Sequence, residues 1–181
     1  MQSNGGALAA LSAAEKPARL VKSGPAGGVI AAAHLGKLTN QKHVLIADMG
    51  GTSFEAGFMP NCEPCFTTRE ELEFGVPVAL NMIDVRSIGA GGGSIARIDE
   101  AGILKVGPQS AGSNPGPACY GLGGEEPTNT DANLVLGRLA GNLVGGGLEL
   151  NVNLAIKAIK MKIADPLGMD IETEAEAIIS V

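Results

Sequence analysis

Apolar positions along the chain gather into short runs, each closed by glycine, proline or a polar cluster. Val44, Leu45, Ile46 and Ala47 form one continuous run with β-branched members. It predicts a strand buried on both faces rather than a helix of so few residues. The run delivers Asp48 to its end and then enters Gly50-Gly51-Thr52-Ser53. Beyond that turn Phe54, Ala56 and Phe58 share one parity, which predicts a second strand with that face buried. The stretch from His43 to Met59 is thus a hairpin around which the rest of the chain is organised.

Upstream, Ser12 and Glu15 have capping-box spacing for a short helix that Pro17 ends, and Ala18 to Lys22 reads as a strand. Ser23 to Gly36, SGPAGGVIAAAHLG, has proline near its start and glycine at its close, the asymmetry expected of a helix. It is apolar nearly all round and therefore expected to be buried. Gly27, Gly28 and Ala31 to Ala33 would let another backbone come close. His34 within it reads as a packing residue. Downstream, Val78 to Ile88 is a second apolar run carrying Asp84 and Arg86, and it feeds Gly89-Ala90-Gly91-Gly92-Gly93-Ser94. A turn at Asp99 to Gly102 separates the following IARID from Ile103 to Val106.

Gly107 to Gly124 is too rich in glycine and proline for a regular element, yet its small apolar and Cys-Tyr content predicts an ordered segment. Thr128 to Ala140 predicts a helix capped by Thr130 or Asp131. Asn153 to Ala164 predicts another, apolar at Leu154, Ile156, Ile159 and Ile163 with lysines opposite, stopping before Pro166. Glu172 to Val181 begins a third.

Composition sharpens this picture. With 181 residues, 45% of them hydrophobic, the chain can bury a core of one domain or two small ones. Its 27 glycines beside one tyrosine and no tryptophan describe tight turns and close approach of backbone to backbone or to ligand. A formal charge of -6 argues against a nucleic-acid surface. No run approaches the ~18 apolar residues of a membrane span, and the N-terminus lacks the basic flank of a signal peptide. Three cysteines do not make a disulfide framework, so a cytoplasmic protein is expected. Glu70, Glu71 and Glu73 around Arg69 read as a solvated face.

The candidate chemistry lies in the two glycine turns. Backbone N–H groups of Gly50 and Gly51, free to adopt positive φ, with the hydroxyls of Thr52 and Ser53, suit an anion such as phosphate. The same pattern also suits an ordinary hairpin with a glycine turn. Gly89 to Ser94 nearly spells a dinucleotide fingerprint, but Ser94 stands at its last position and no helix follows. Its amides remain available to a phosphate or a base edge. Cys62 and Cys65 have CxxC spacing, but with Cys119, His34 and His43 alone left to join them they read as a loop at a hairpin end. Cys119 has no histidine near it in sequence to act as base and reads as packing.

In order, SGPAGGVIAAAHLG, ADMGGTSF, VRSIGAGGGSIARID, VGPQSAG, NPGPACYG, PTNTDANLVLGRL and KIADPLGM resemble the A-type subunit of the hydantoinase/oxoprolinase family. The resemblance covers essentially the whole chain, and the chain resembles an internal part of a longer protein. It implies an α/β fold similar to the actin-like and sugar-kinase ATPases: a mixed sheet with a glycine-rich phosphate hairpin and flanking helices. Residues 1–40 would then end a preceding lobe and supply the interlobe helix, and residues 41–181 would form part of the second lobe.

The chemistry implied is ATP-dependent opening of a cyclic amide such as a hydantoin or 5-oxoproline by carbonyl phosphorylation. Alternatives are an ATP-dependent ketone carboxylase subunit or a catalytically silent nucleotide-binding or scaffolding module. Carried over residue by residue, Asp48 would orient Mg²⁺ (or Mn²⁺) or its water, and Thr52 would join it in catalysis. Gly50, Gly51, Thr52 and Ser53 would hold the ATP phosphates, with Gly91, Gly92, Gly93 and Ser94 as a further wall. Asp84 and Asp131 fall inside matching motifs, Asp131 as a second candidate metal ligand. A missing lobe, a B-type subunit and oligomerisation are implied as well. The chain departs from the family pattern at Glu55, where aspartate is frequent, at Asn129 in place of an apolar residue, and at Ser113-Asn114 in place of Ala-Asp.

Overall fold

Ser23–Leu38 (α2) is a 16-residue helix with Pro25 in its first turn, where a missing N–H leaves no intrahelical partner unsatisfied. Its buried positions Ala26, Val29, Ala33 and Gly36 recur at helical spacing. One stripe is therefore covered, while Leu35 and Leu38 stand 60% and 66% exposed. The expected burial all round is corrected: only the stripe of Ala26, Val29, Ala33 and Gly36 is covered. Close approach occurs at Gly36, where a Cβ would lie 2.6 Å from Val44 Cγ2 and 2.8 Å from Cys62 Sγ. His34 points to solvent rather than into packing.

The computed structural model describes residues 1–72 and 76–181, and they divide into two units. The first comprises Met1–Asp48 and Glu55–Ser87. Before α2 it contains a short helix, Ala10–Glu15 (α1), which begins without a side-chain cap, and a 3₁₀ turn at Pro17–Leu20 where a strand was expected. After α2 come His43–Met49 (β1), Phe54–Pro60 (β2), Phe66–Thr67 (β3), Glu70–Leu72 (β4), Val76–Val78 (β5), Met82–Ile83 (β6) and Arg86–Ile88 (β7). The sheet order is β1-β2-β7, with β3 pairing β6 and β4 pairing β5, both antiparallel. The core gathers Ala26, Val29 and Ala33 of α2 with Met59, Ile83 and Val85, flanked by Val44 and Ile46.

This packing revises both hairpin faces. Val44 and Ile46 lean on the core but Leu45 is 72% exposed, so β1 is covered on one face only. On β2 the buried residues are Gly57 and Met59, and Phe58 is exposed. The reason is steric: a Cβ at Gly57 would sit 3.3 Å from Ile46 and 3.5 Å from Val29. The strand turns its smallest residue inward there, and Phe58 stacks on His43 instead, with ring centroids 6.1 Å apart. Cys62 is buried and donates to Gln41 O, while Cys65 is exposed; both are unpaired, in the loop after β2. The acidic face expected at Glu70, Glu71 and Glu73 concerns side chains outside the described residues.

The second unit comprises Met49–Phe54 and Ile88–Val181. Ser94–Ile98 (β8) and Leu104–Ser110 (β9) pair antiparallel across the expected turn, with a bulge between Ser94 and Ala96. Asn129–Val135 (α3) follows, then the pair Asn142–Leu143 (β10) and Leu148–Glu149 (β11). Val152–Ile159 (α4), capped by Asn151, passes into a π-turn at Lys160–Ala164 and on through Asp165–Leu167 (α5). Pro166 therefore does not stop the run as expected, because it falls at the start of α5, in the position a proline tolerates. Ile171–Ser180 (α6) is capped by Asp170. Ala96, Ala132, Ile159, Ile163, Ala175 and Ile178 form the core between hairpin and helices. No helix among the described residues is long and apolar enough to cross a membrane.

Candidate functional site

The turn between β1 and β2 belongs to the second unit, where the glycine loop before β8 holds it. Gly92 N donates to Gly50 O at 3.0 Å and Gly93 N to Gly51 O at 2.6 Å. Ser110 Oγ adds a longer bond to Gly51 O. The turn closes on itself through Gly50 N to Ser53 O at 2.8 Å. The loop is fixed in its turn by α3: Thr130 donates to Gly92 O through both N and Oγ1, and Asn129 Nδ2 donates to Gly91 O.

Loop and turn approach so closely that side chains are excluded. A Cβ at Gly91 would lie 2.7 Å from Gly51 C and O and Ser53 N, and one at Gly93 would lie 2.8 Å from Gly51 O. These glycines are required by backbone contact. The reason expected at Gly50 and Gly51 is different and is corrected, since neither has positive φ. A Cβ at Gly51 would meet nothing within 4 Å. Open space lies beside the turn.

That arrangement separates the two sets of candidate donors. In the loop, Gly91 N donates to Ser94 Oγ, Gly92 N to Gly50 O, Gly93 N to Gly51 O and Ser94 N to Gly91 O. All four amides are engaged within the protein, so Gly91, Gly92, Gly93 and Ser94 brace the turn instead of offering a wall of free donors. In the turn, the N–H groups of Gly51 and Thr52 and the hydroxyl of Thr52 have no partner among the described residues, and both residues are exposed. These are the donors that can meet an anion. Asp48 lies at the end of β1 in the first unit, exposed, its Oδ2 3.9 Å from where a Cβ on Gly28 would stand.

Asp131 has a different place. The α3 N-cap is Thr128, not Thr130 or Asp131, and Asp131 closes the capping box as its third helical residue. Its carboxylate, fully buried, accepts from Cys119 N at 2.7 Å, Thr128 Oγ1 at 2.7 Å, Thr128 N at 2.9 Å and Ala118 N at 3.3 Å. It fastens the Ala118–Tyr120 turn to the helix, and with four protein donors its oxygens are committed. Burial, with the Asp131 carboxylate beside it, pushes the Cys119 thiol far above its ordinary range, in keeping with packing. Asp84 pairs with Arg86 at 3.3 Å at the surface. Among the described residues no three His, Cys, Asp or Glu side chains gather as a metal cluster. Ser110, Asn129 and Thr130 complete the site's frame through partners that lie far along the chain.

The profile of the hydantoinase/oxoprolinase family matches residues 1–181. The chain is 46% identical to the caprolactamase subunit alpha of Pseudomonas jessenii over 99% of its length and 26% of that protein's. It superposes on the crystal structure of the ATP-dependent caprolactamase from that organism with a TM-score of 0.78 at 44% identity, over 99% of this chain and 26% of that one. On the nucleotide-free structure of acetone carboxylase, from work on ATP-dependent acetone carboxylation, the TM-score is 0.89 at 35% identity, over 99% of this chain and 25% of that one. The chain thus spans about a quarter of the length of these relatives. A profile match from end to end, with relatives at this identity, places the chain in the hydantoinase/oxoprolinase family.

Proposed function

We propose that this chain supplies the phosphate grip of an ATP-dependent enzyme that opens cyclic amides. The observation that carries the proposal is the turn Gly50–Ser53. Its backbone is clamped by the Gly92 and Gly93 amides, while the N–H groups of Gly51 and Thr52 have no partner among the described residues and both residues are exposed. Pre-ordered donors of this kind stabilise phosphate without reorganising when it binds. ATP would supply an activated phosphoryl group for the amide carbonyl. Gly51 and Thr52 N–H, with the Thr52 hydroxyl, would donate to its oxygens, and Ser53 would hold the turn in register. Asp48, two residues before the turn in sequence, is the carboxylate we assign to Mg²⁺ or Mn²⁺, which takes few protein ligands when phosphates supply the rest. Asp131 is not assigned to metal, since its oxygens already serve four protein donors.

The naming of one relative as an ATP-dependent caprolactamase supports an amide substrate. A ketone carboxylase is the second possibility, favoured by the higher TM-score to acetone carboxylase. In either case we place the chain in an actin-like ATPase lobe of a longer cytoplasmic protein. It would work with a second lobe and further subunits, as the name of the caprolactamase subunit suggests.

The test uses the full-length protein with its partner subunits. Phosphate release from ATP is measured with caprolactam, hydantoin or 5-oxoproline, and separately with acetone and bicarbonate. Stimulation by a cyclic amide, abolished by Asp48→Ala, is the expected result. Stimulation by the ketone alone would transfer the chain to the carboxylases, and undiminished turnover in Asp48→Ala would remove the role given to that residue.

A further inference from the structure

The amides of Gly51 and Thr52 stand at the ends of two parallel chains of hydrogen bonds. One starts at Asn129, whose Nδ2 donates to Gly91 O at 3.1 Å. That carbonyl shares its peptide with Gly92 N, which donates to Gly50 O at 3.0 Å, and the Gly50 carbonyl shares its peptide with Gly51 N. The other starts at Thr130, whose N and Oγ1 both donate to Gly92 O at 2.8 Å. Its peptide continues in Gly93 N, which donates to Gly51 O at 2.6 Å, and the Gly51 carbonyl shares its peptide with Thr52 N. Ser94 N at Gly91 O, 3.1 Å, and Ser110 Oγ at Gly51 O, 3.3 Å, join the chains from the side. Each chain therefore crosses two peptide planes and ends on an N–H with no partner among the described residues.

In a planar trans peptide the C=O and N–H point in opposite directions. A donor that polarises the carbonyl thus makes the N–H beyond it a stronger donor, and bonds in series reinforce one another by about 10–30% each. The Asn129 side chain is held for its one donated bond: its Oδ1 is buried without a partner among the described residues, an arrangement that costs stability and that a leucine of similar size would avoid. Thr130 repeats with its hydroxyl a bond that its own N–H already makes. Neither side chain is needed to cap α3, which Thr128 and Asp131 do. We infer that Asn129 and Thr130 are positioning residues that polarise the two donors separately, Asn129 the N–H of Gly51 and Thr130 the N–H of Thr52, for a highly charged anion such as a nucleotide phosphate. The inference rests on the reading of the Gly50–Ser53 turn as the phosphate grip.

Amide NMR on the full-length protein, its glycines or threonines labelled with nitrogen-15, tests it. Loss of a signal in Gly51→Ala and in Thr52→Ser identifies the two donor resonances. Without nucleotide, Asn129→Leu should move the Gly51 amide proton to higher field and leave Thr52 nearly in place. Thr130→Val should do the reverse, and Thr130→Ser, which keeps the hydroxyl, should restore the parent position. The Thr173 amide, held by Asp170 at the start of α6, should stay fixed throughout and marks an intact fold. In calorimetry each of Asn129→Leu and Thr130→Val should weaken binding of ATP with Mg²⁺ about twofold, and the two together about fourfold. Donor resonances that move together in each variant, or not at all, would overturn the inference, as would the expected shifts with unchanged ATP affinity. Parent protein whose variants show these shifts but which binds no nucleotide would remove the phosphate reading and leave the two chains standing.

Discussion

Replacing Gly91 by alanine should unseat the turn, whereas the same change at Gly51 should leave the fold intact and remove nucleotide. At position 91 the added Cβ would lie 2.7 Å from three backbone atoms of Gly51 and Ser53, none of which can rotate away. Loop and turn must separate, at an overpacking cost of about 1–3 kcal/mol. Separation also stretches the bonds from Gly92 N to Gly50 O and from Gly93 N to Gly51 O, at about 0.5–1.5 kcal/mol each. The lower backbone entropy of alanine in the unfolded chain returns about 0.4–1 kcal/mol. Gly91→Ala should therefore lose about 1–6 kcal/mol, read as a lower urea midpoint at unchanged slope. At position 51 the Cβ meets nothing within 4 Å and φ is not in the left-handed region. Gly51→Ala should stay within about 0.5 kcal/mol of the parent in the same titration, yet its methyl occupies the space where phosphate would approach. Calorimetry with ATP and Mg²⁺ on the full-length protein should then show at least a tenfold loss of affinity, about 1.4 kcal/mol. An unchanged urea midpoint in Gly91→Ala, or unchanged ATP affinity in Gly51→Ala, would refute the division of labour between clamp and grip.

Asp131→Asn leaves one oxygen where a carboxylate accepts four bonds, and should cost about 2–4 kcal/mol in denaturant titrations, with Mg²⁺ giving no rescue. Glu174 is buried with Oε2 unpartnered among the described residues, and burial, helped by Asp170, raises its pKa. A raised carboxylate pKa means the folded state holds the proton more tightly, so the penalty is present above the folded pKa and disappears as pH falls below the unfolded value. Glu174→Gln should consequently raise the melting temperature at neutral pH, with the gain shrinking towards the ordinary carboxylate range; a gain that grows on acidification would contradict this. Cys65 is exposed while Cys62 and Cys119 are buried, the latter with a raised thiol pKa. Iodoacetamide at neutral pH should accordingly label Cys65 first in mass spectra, and early labelling of Cys119 would show that the Ala118–Tyr120 turn opens.

Local signals carried much of this architecture. The apolar run after His43, the Gly-Gly turn, the hairpin through Asp99 to Gly102 and the helices at Ser23, Asn153 and Glu172 are all legible, because each depends on neighbours within a few residues. What escaped is set at long range. The inward face of β2 follows from Gly57 fitting under Ile46 and Val29, whereas side-chain size alone selects Phe58. The helix cap falls on Thr128 because Asp131 is drawn to the Ala118 and Cys119 amides, a contact invisible in the local sequence. The two glycine turns look alike on paper. Only their mutual hydrogen bonds show that Gly91 to Ser94 spends its amides on the other turn, leaving Gly51 and Thr52 as the donors. Hydrophobic spacing did place Leu154 on its helix.

Amide hydrogen exchange on the full-length protein, with and without ATP and Mg²⁺, bears most directly on the phosphate grip. Protection should rise in the segment holding Gly51 and Thr52, whose N–H groups have no partner among the described residues, and change little across Gly91 to Ser94, whose amides are already bonded. Saturating nucleotide that leaves Gly51 and Thr52 unprotected would contradict the assignment of this turn as the phosphate site.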